Sequence, residues 1–331
     1  MGGVEVVVEG IVKSFGGNPV IRNATMRAPA GRVTTLLGPS GCGKTTLLKI
    51  IAGLLFPDSG RVLFNGRDVT RVPPEKRNIG MVFQDLALFP HLNVYDNVAF
   101  GLKARRIPEN EVRRRVFRAL ELVSLNPGTF AFRRVTELSG GQRQRVALAR
   151  TIVIEPEVLL LDEPLAHLDF KVKQRLLREI KRLQRGLGIT TIYVTHDQTE
   201  AMEVGDHIAI MNEGKVVQEG EPEEVYERPA DSFVASFFGD ANIVELGAEG
   251  LVAVRPEDVI VNPDNGNADY RIPGVVEDKV FQGALVRLEI RVDTGRETVI
   301  KALVPKGSGS YSPGQKVIVG WKREAMKPLR E

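Results

Sequence analysis

Gly38-Pro39-Ser40-Gly41-Cys42-Gly43-Lys44-Thr45-Thr46 decides how the rest of the chain is read. It has the form G-x-x-x-x-G-K-[ST], a loop whose backbone N–H groups cradle phosphates. Val33-Thr34-Thr35-Leu36-Leu37 ahead of it reads as a buried strand. Leu47-Leu48-Lys49-Ile50-Ile51-Ala52 behind it reads as a helix. The glycines let the N–H groups turn inward at close range, which a Cβ would obstruct. The helix N-terminus adds unpaired N–H groups and a dipole that favour an anion. In such a loop Lys44 reaches the outer phosphates and the Thr45 hydroxyl holds Mg²⁺. Strand, loop, Lys-Thr and helix together predict a nucleotide site.

Working outward, Val158-Leu159-Leu160-Leu161-Asp162-Glu163 reads as a buried parallel strand ending in two carboxylates. Acids at the C-terminal edge of a parallel strand face the ligand crevice. Asp162 fits the acid that holds Mg²⁺, and Glu163 fits the base that activates water. Thr190-Thr191-Ile192-Tyr193-Val194-Thr195 is a further apolar strand, ending at His196-Asp197. His196 shares that edge, whereas His91, His167 and His207 read as structural. Leu138-Ser139-Gly140-Gly141-Gln142 opens a long helix, with Ser139 a natural N-cap. Gly140 and Gly141 leave its first N–H groups open to an anion, or the helix is an ordinary capped one. Gln84 ends a short apolar strand and either coordinates Mg²⁺ or a water or caps a loop. Phe15 precedes the turn Gly16-Gly17; it is core or stacks on an adenine, and position alone favours core. Cys42 is either a small filler or an accessible thiol whose alkylation blocks ATP and which ATP protects.

A chain of 331 residues has room for two domains, and 43% hydrophobic with 26% charged residues is ordinary for a globular protein. A net charge of +3 does not argue for a nucleic-acid partner. One cysteine excludes an internal disulfide and fits a reducing compartment. No secretion signal or myristoylation pattern is visible, and the longest apolar run, residues 47–56, is too short to span a bilayer. Membrane association is therefore expected only through a partner.

Residues 4–13 read as strands, and Arg61-Val62-Leu63-Phe64 with Asn65-Gly66 as a hairpin. Between residues 90 and 134, Val112, Val116, Phe117, Leu120 and Val123 recur at helical spacing among Arg113, Arg114, Arg115 and Arg118. A solvated basic face is the preferred reading, against a face held near anionic lipid. Residues 205–218 read as a closing hairpin. From Ala241 onward the pattern is all-β: Val286, Leu288, Ile290 and Val292 alternate with charged residues before the turn Asp293-Thr294-Gly295.

The loop at 38–46, Gln84, residues 138–142, Leu161-Asp162-Glu163, Asp169 and His196 occur in one fixed order. That set resembles the ATP-binding subunit of ABC transporters over residues 4–239. Val254-Arg255-Pro256-Glu257-Asp258 resembles the opening of the extra C-terminal domain of solute importers of this family. The resemblance implies an α/β core of the P-loop NTPase type with antiparallel β and helical subdomains. It places an ATP-binding domain at 1–239, a helical subdomain at about 85–157, and a small oligonucleotide-binding-type regulatory barrel at 240–331. It implies ATP and Mg²⁺ as ligands. Gly38, Pro39, Ser40, Gly41, Cys42, Gly43, Lys44, Thr45 and Thr46 would bind the phosphates, and Phe15 would stack on adenine. Thr45, Gln84 and Asp162 would hold the metal, and Glu163, His196, Lys44 and Gln84 would serve catalysis. Ser139, Gly140, Gly141 and Gln142 would grip the γ-phosphate bound to a second copy, and Asp169 would lie at that dimer contact. Ala166-His167-Leu168-Asp169 departs from the family's usual Ser-Ala or Ser-Asn before Leu-Asp, which puts a hydrogen bond across the dimer in doubt.

The implied partners are a second copy, two integral-membrane permease subunits and, indirectly, a solute-binding protein, with no nucleic acid. The implied location is the cytoplasmic face of the cell membrane. The rival reading is an ABC-type ATPase with a nucleic-acid-linked role. The chain lacks the heptad insertion and the second cassette of those types, and Tyr270, Phe281, Tyr311 and Trp321 are too scattered for a stacking platform. Residues 314–321 look slightly more like polyamine or ferric-iron importers than sugar importers.

Overall fold

The computed structural model describes residues 3–329 apart from residues 167, 265, 294 and 296, so the readings of Met1-Gly2, His167 and Thr294 lie outside the described residues. The chain divides between Pro222 and Glu223 into two units.

In the first unit, β1 (Val6–Phe15) and β2 (Asn18–Ala28) form a hairpin. β3 (Val33–Leu37), buried throughout, leads through the glycine loop into α1 (Lys44–Ala52). β4 (Ser59–Phe64) and β5 (Arg67–Asp68) meet at Asn65-Gly66, where Asn65 takes a left-handed φ of 47°. After β6 (Ile79–Val82) the chain turns helical: α2 (Val94–Ala104), α3 (Glu109–Leu122), α4 (Pro127–Phe130) and α5 (Gly140–Ile152). β7 (Val158–Asp162), α6 (Phe170–Leu187), β8 (Thr190–Thr195), α7 (Gln198–Val204) and the hairpin of β9 (His207–Asn212) and β10 (Lys215–Gly220) complete it.

These strands make an antiparallel sheet in the order β2-β1-β4-β5 and a six-stranded sheet in the order β10-β9-β3-β8-β7-β6. In the latter only β10 runs antiparallel. Parallel strands buried on both faces carry continuous apolar runs, because each face needs its own cover. Val158 and Leu160 point into a core shared with α1 and the antiparallel sheet. Leu159 and Leu161 point into another, shared with α2, α3, α5 and α6. Val112, Val116 and Leu120 are buried as the helical spacing predicts. The arginines around them are partly neutralised by Glu111, 2.5 Å from Arg114 and 2.6 Å from Arg115, which fits the solvated-face reading.

The second unit joins α8 (Pro222–Glu227) and α9 (Ser232–Phe237) to β11 (Asn242–Leu246), β12 (Gly250–Val254), β13 (Ile260–Val261) and β14 (Tyr270–Phe281). β15 (Leu285–Asp293), β16 (Glu297–Pro305), β17 (Lys316–Trp321) and β18 (Lys327–Pro328) follow. The antiparallel sheets β11-β12-β18 and β13-β17-β14-β15-β16 curl around one core in the oligonucleotide-binding manner. Val286, Leu288, Ile290 and Val292 supply one face of it, as their alternation predicts.

The division precedes the boundary expected at Gly239-Asp240, and Arg255 is the physical reason. Its guanidinium is buried and donates to the carbonyls of Tyr226, Ala235 (2.9 Å) and Phe238 (2.8 Å). It also lies 3.7 Å over the Tyr226 ring, so α8 and α9 are fastened to the β-rich unit. Arg255→Ala would leave buried carbonyls unpaired, at about 1–3 kcal/mol for each group. Trp321, the sole tryptophan, is fully buried in this unit, so its fluorescence during urea unfolding reports the unit directly. The Arg255→Ala midpoint is expected to fall, and an unchanged midpoint contradicts the clamp.

Candidate functional site

Strand register assembles the site. Leu37 pairs with Thr195, and Asp162 with Val194. The glycine loop, the paired acids and His196 therefore leave the sheet at one edge, although they come from three separate stretches of sequence. The glycine loop is anchored from behind, where Gly214 N–H donates to Cys42 O at 3.1 Å. Gly43 has φ 106°, and a Cβ there would lie 2.6 Å from Ile21 Cδ1, so only glycine fits. Ser40 and Gly41 stand exposed at the tip, Pro39 and Thr46 are half-buried, and Gly38 closes the strand.

Lys44 is buried, its ammonium donating to Gly38 O at 2.7 Å and Pro39 O at 2.8 Å. Neutral carbonyls are weak partners for that charge, and a phosphate at the loop would compete with them for it. Thr45 Oγ1 donates to Asp162 Oδ1 at 2.9 Å. Burial pushes the Asp162 carboxyl above its usual range, opposed by the Thr45 bond. A cation here would favour the ionised carboxylate. Among the described residues no three His, Cys, Asp or Glu side chains gather as a metal cage. One carboxylate beside one hydroxyl suits Mg²⁺, which keeps waters and phosphate oxygens as most of its ligands.

Glu163 holds a left-handed φ of 43°, a conformation that costs a residue with a Cβ on the order of 1–3 kcal/mol. Its N–H donates to Val194 O at 3.1 Å. His196 Nδ1 lies 3.2 Å from Glu163 Oε2, and the imidazole is otherwise largely exposed. With Nδ1–H turned to the carboxylate, Nε2 is left to face a ligand. Carboxylate and imidazole thus stand side by side at the strand ends.

Phe15 is 46% exposed at the end of β1, so the core alternative fails and its ring is available as a stacking surface. Gln84 is exposed in the turn after β6. Ser139 caps α5 with a reciprocal box: Gln142 N–H donates to Ser139 Oγ at 3.4 Å, and Ser139 N–H to Gln142 Oε1 at 2.9 Å. The box occupies those two donors; the helix's own ladder cannot use the N–H groups of Gly140 and Gly141, which remain for an acceptor. Gly141 also admits Val172, whose Cγ1 would stand 3.1 Å from a Cβ there. Asp169 is exposed and caps α6, accepting from Val172 N–H at 3.1 Å.

Sequence reasoning missed Arg150. Its guanidinium donates to Leu86 O at 2.7 Å and Ala87 O at 2.6 Å, and both residues are left-handed. Arg150 so ties the loop after Gln84 to α5. No local signal could reveal a bond between residues more than sixty positions apart.

The ABC transporter family model matches residues 21–166, and the TOBE domain model matches residues 252–328. A spermidine/putrescine import ATP-binding protein, PotA, of Bacillus thuringiensis subsp. konkukian is 45% identical over 96% of this chain and 97% of its own. The one from Acetivibrio thermocellus is 42% identical over 96% and 94%. Among solved structures, cbiO1 of Clostridium perfringens, part of an ABC transporter complex, superposes with TM-score 0.62 at 36% identity, covering 67% of this chain and 90% of that one. The dimeric cassette MJ0796 bound to ADP and Pi gives TM-score 0.59 at 31% identity, covering 65% and 98%.

Cys42 corrects the expectation of an accessible thiol: it is 7% exposed, and burial pushes its thiol up. Less thiolate is then present at any given pH. Iodoacetamide at pH 8 should modify Cys42 of the native protein at least about tenfold more slowly than a free cysteine. Labelling at the free-thiol rate contradicts this placement.

Proposed function

The chain belongs to the ABC transporter ATP-binding proteins, import subunits that hydrolyse ATP, and on that premise we propose how its residues divide the work. The supporting observation is the register that brings the glycine loop, Asp162-Glu163 and His196 to one edge. Residues 38–46 hold the phosphates of ATP, with Lys44 transferring its ammonium from the loop carbonyls to the β- and γ-phosphates. Phe15 stacks on the adenine. Thr45, Asp162 and Gln84 would hold Mg²⁺. When bound, Mg²⁺ supplies charge neutralisation on the phosphate oxygens.

Glu163 accepts the proton of a water whose oxygen forms a bond to the γ-phosphorus, while the bond to the β–γ bridging oxygen breaks. When both ring nitrogens carry a proton, His196 donates from Nδ1 to Glu163 and from Nε2 to the γ-phosphate. The strained backbone of Glu163 aims its carboxylate before substrate arrives.

One copy lacks a second wall for the nucleotide. The Ser139-capped start of α5, with Asp169 beside the contact, supplies it for the other copy's ATP. The dimeric form of the similar cassette MJ0796 supports this. ATP then closes the pair and hydrolysis opens it. We extend this to two permease subunits on the cytoplasmic side of the membrane, a solute-binding protein upstream, and residues from about 240 as a regulatory barrel. Among the described residues no helix is long and apolar enough to cross a membrane. The imported solute is a polyamine, by likeness to relatives named for spermidine and putrescine across nearly their whole length. The nucleic-acid alternative has no such support.

Glu163→Gln should lower ATP turnover by about a hundredfold or more while ATP binding persists. With ATP, that variant should sediment as a dimer and the ATP-free protein should not. Turnover at the wild-type rate contradicts the base, and an ATP-loaded monomer contradicts the sandwich.

A further inference from the structure

His196 touches Glu163 through a single ring nitrogen, yet the residues on both sides of it are locked from behind. Glu200, on α7, is buried. Its Oε2 accepts from Tyr193 Oη and Thr195 Oγ1, each at 2.8 Å. Asp197 caps α7, its Oδ1 accepting from Thr199 N–H at 2.8 Å and Glu200 N–H at 3.2 Å. Asp197 N–H in turn donates to Thr195 Oγ1 at 3.0 Å.

One side chain from another element completes the network. Lys173 Nζ lies 2.5 Å from Glu200 Oε1 and 2.7 Å from Asp197 Oδ2. Lys173 sits in the first turns of α6, and its own N–H donates to Asp169 O at 2.9 Å. The ammonium therefore spans from the helix whose tip is Asp169 to the two carboxylates that follow His196, on Asp197 and Glu200. Charge-assisted bonds in a half-buried site are stiff as well as strong. The neighbouring carboxylates raise the Lys173 ammonium against the opposing effect of burial, and Lys173 holds Asp197 below the usual carboxylate range. The α6 tip and residues 195–197 are thus joined by one continuous bonded network.

We propose that Lys173 is a positioning residue: it fixes His196 beside Glu163 and passes to it the placement of Asp169. This rests on the roles given above to His196 and Asp169. Lys173 is bonded to Asp197 and Glu200 and acts through His196. The catalytic imidazole thereby responds to whether a second copy is seated on the α6 tip.

Lys173→Met alone strands the buried Glu200 carboxylate and invites misfolding. Lys173→Met with Glu200→Gln removes both charges and leaves an acceptor for Tyr193 and Thr195. In the purified full chain, this double variant should keep KM for ATP within about twofold and lose about tenfold in kcat, a split that lost packing would not give. Lys173→Arg, which can reach both carboxylates, should keep kcat within about twofold of wild type. In a His196→Ala background, the Lys173→Met/Glu200→Gln changes should cost less than about twofold more. Wild-type kcat in the double variant overturns the proposal, as does an undiminished loss in the His196→Ala background. If His196→Ala itself turns over at the wild-type rate, the role of His196 fails first, and that outcome is separate from the other two.

Discussion

Pairing of Leu37 with Thr195 and of Asp162 with Val194 fixes where chemistry can occur, because a parallel ladder delivers every strand end to the same edge. Shifting β7 by one residue would turn Asp162 away from Thr45 and reverse which leucines face which core. Two apolar cores, one on each face of the sheet, hold that register. The site is precise because the strands are buried on both sides, and the polar groups sit where the burial stops.

Around that edge, polar groups are held by partners that leave one function open. Asp162 is buried but bonded to Thr45; Glu163 is strained but tied to β8; His196 spends one nitrogen on Glu163. The capping box at Ser139 satisfies two donors and leaves two for an acceptor. Behind these groups lie cations that contact carbonyls or carboxylates of distant segments. Arg150 holds the loop after Gln84, and Lys173 holds the turn around His196. Both bridge elements that lie far apart in the sequence, so each ties the position of one element to that of the other.

Much of the core was legible because local chemistry and global fold agree there. The glycine loop needs strand, turn and helix in sequence, and Val158-Leu159-Leu160-Leu161 ahead of two acids can hardly be anything but a buried strand reaching an edge. Phe15 was not legible, since a lone aromatic before a turn carries no signal for exposure. Cys42 looked accessible from its place in a ligand loop, yet the loop buries it. The attachment of α8 and α9 to the second unit was not legible because Arg255 reaches back to their carbonyls, and hydrogen bonds to backbone leave no trace in periodicity. The contacts of Arg150 and Lys173 were invisible for the same reason.

The arrangement we propose is a shared nucleotide pocket, with a triphosphate between one copy's glycine loop and the other copy's serine-led helix. The measurement that bears on it most directly is the position of Ser139 in an experimental structure of the ATP-loaded pair. Ser139 Oγ within about 3 Å of the γ-phosphate held by the neighbouring copy is the predicted result. Ser139 facing solvent, or reaching the ATP of its own chain, would contradict it.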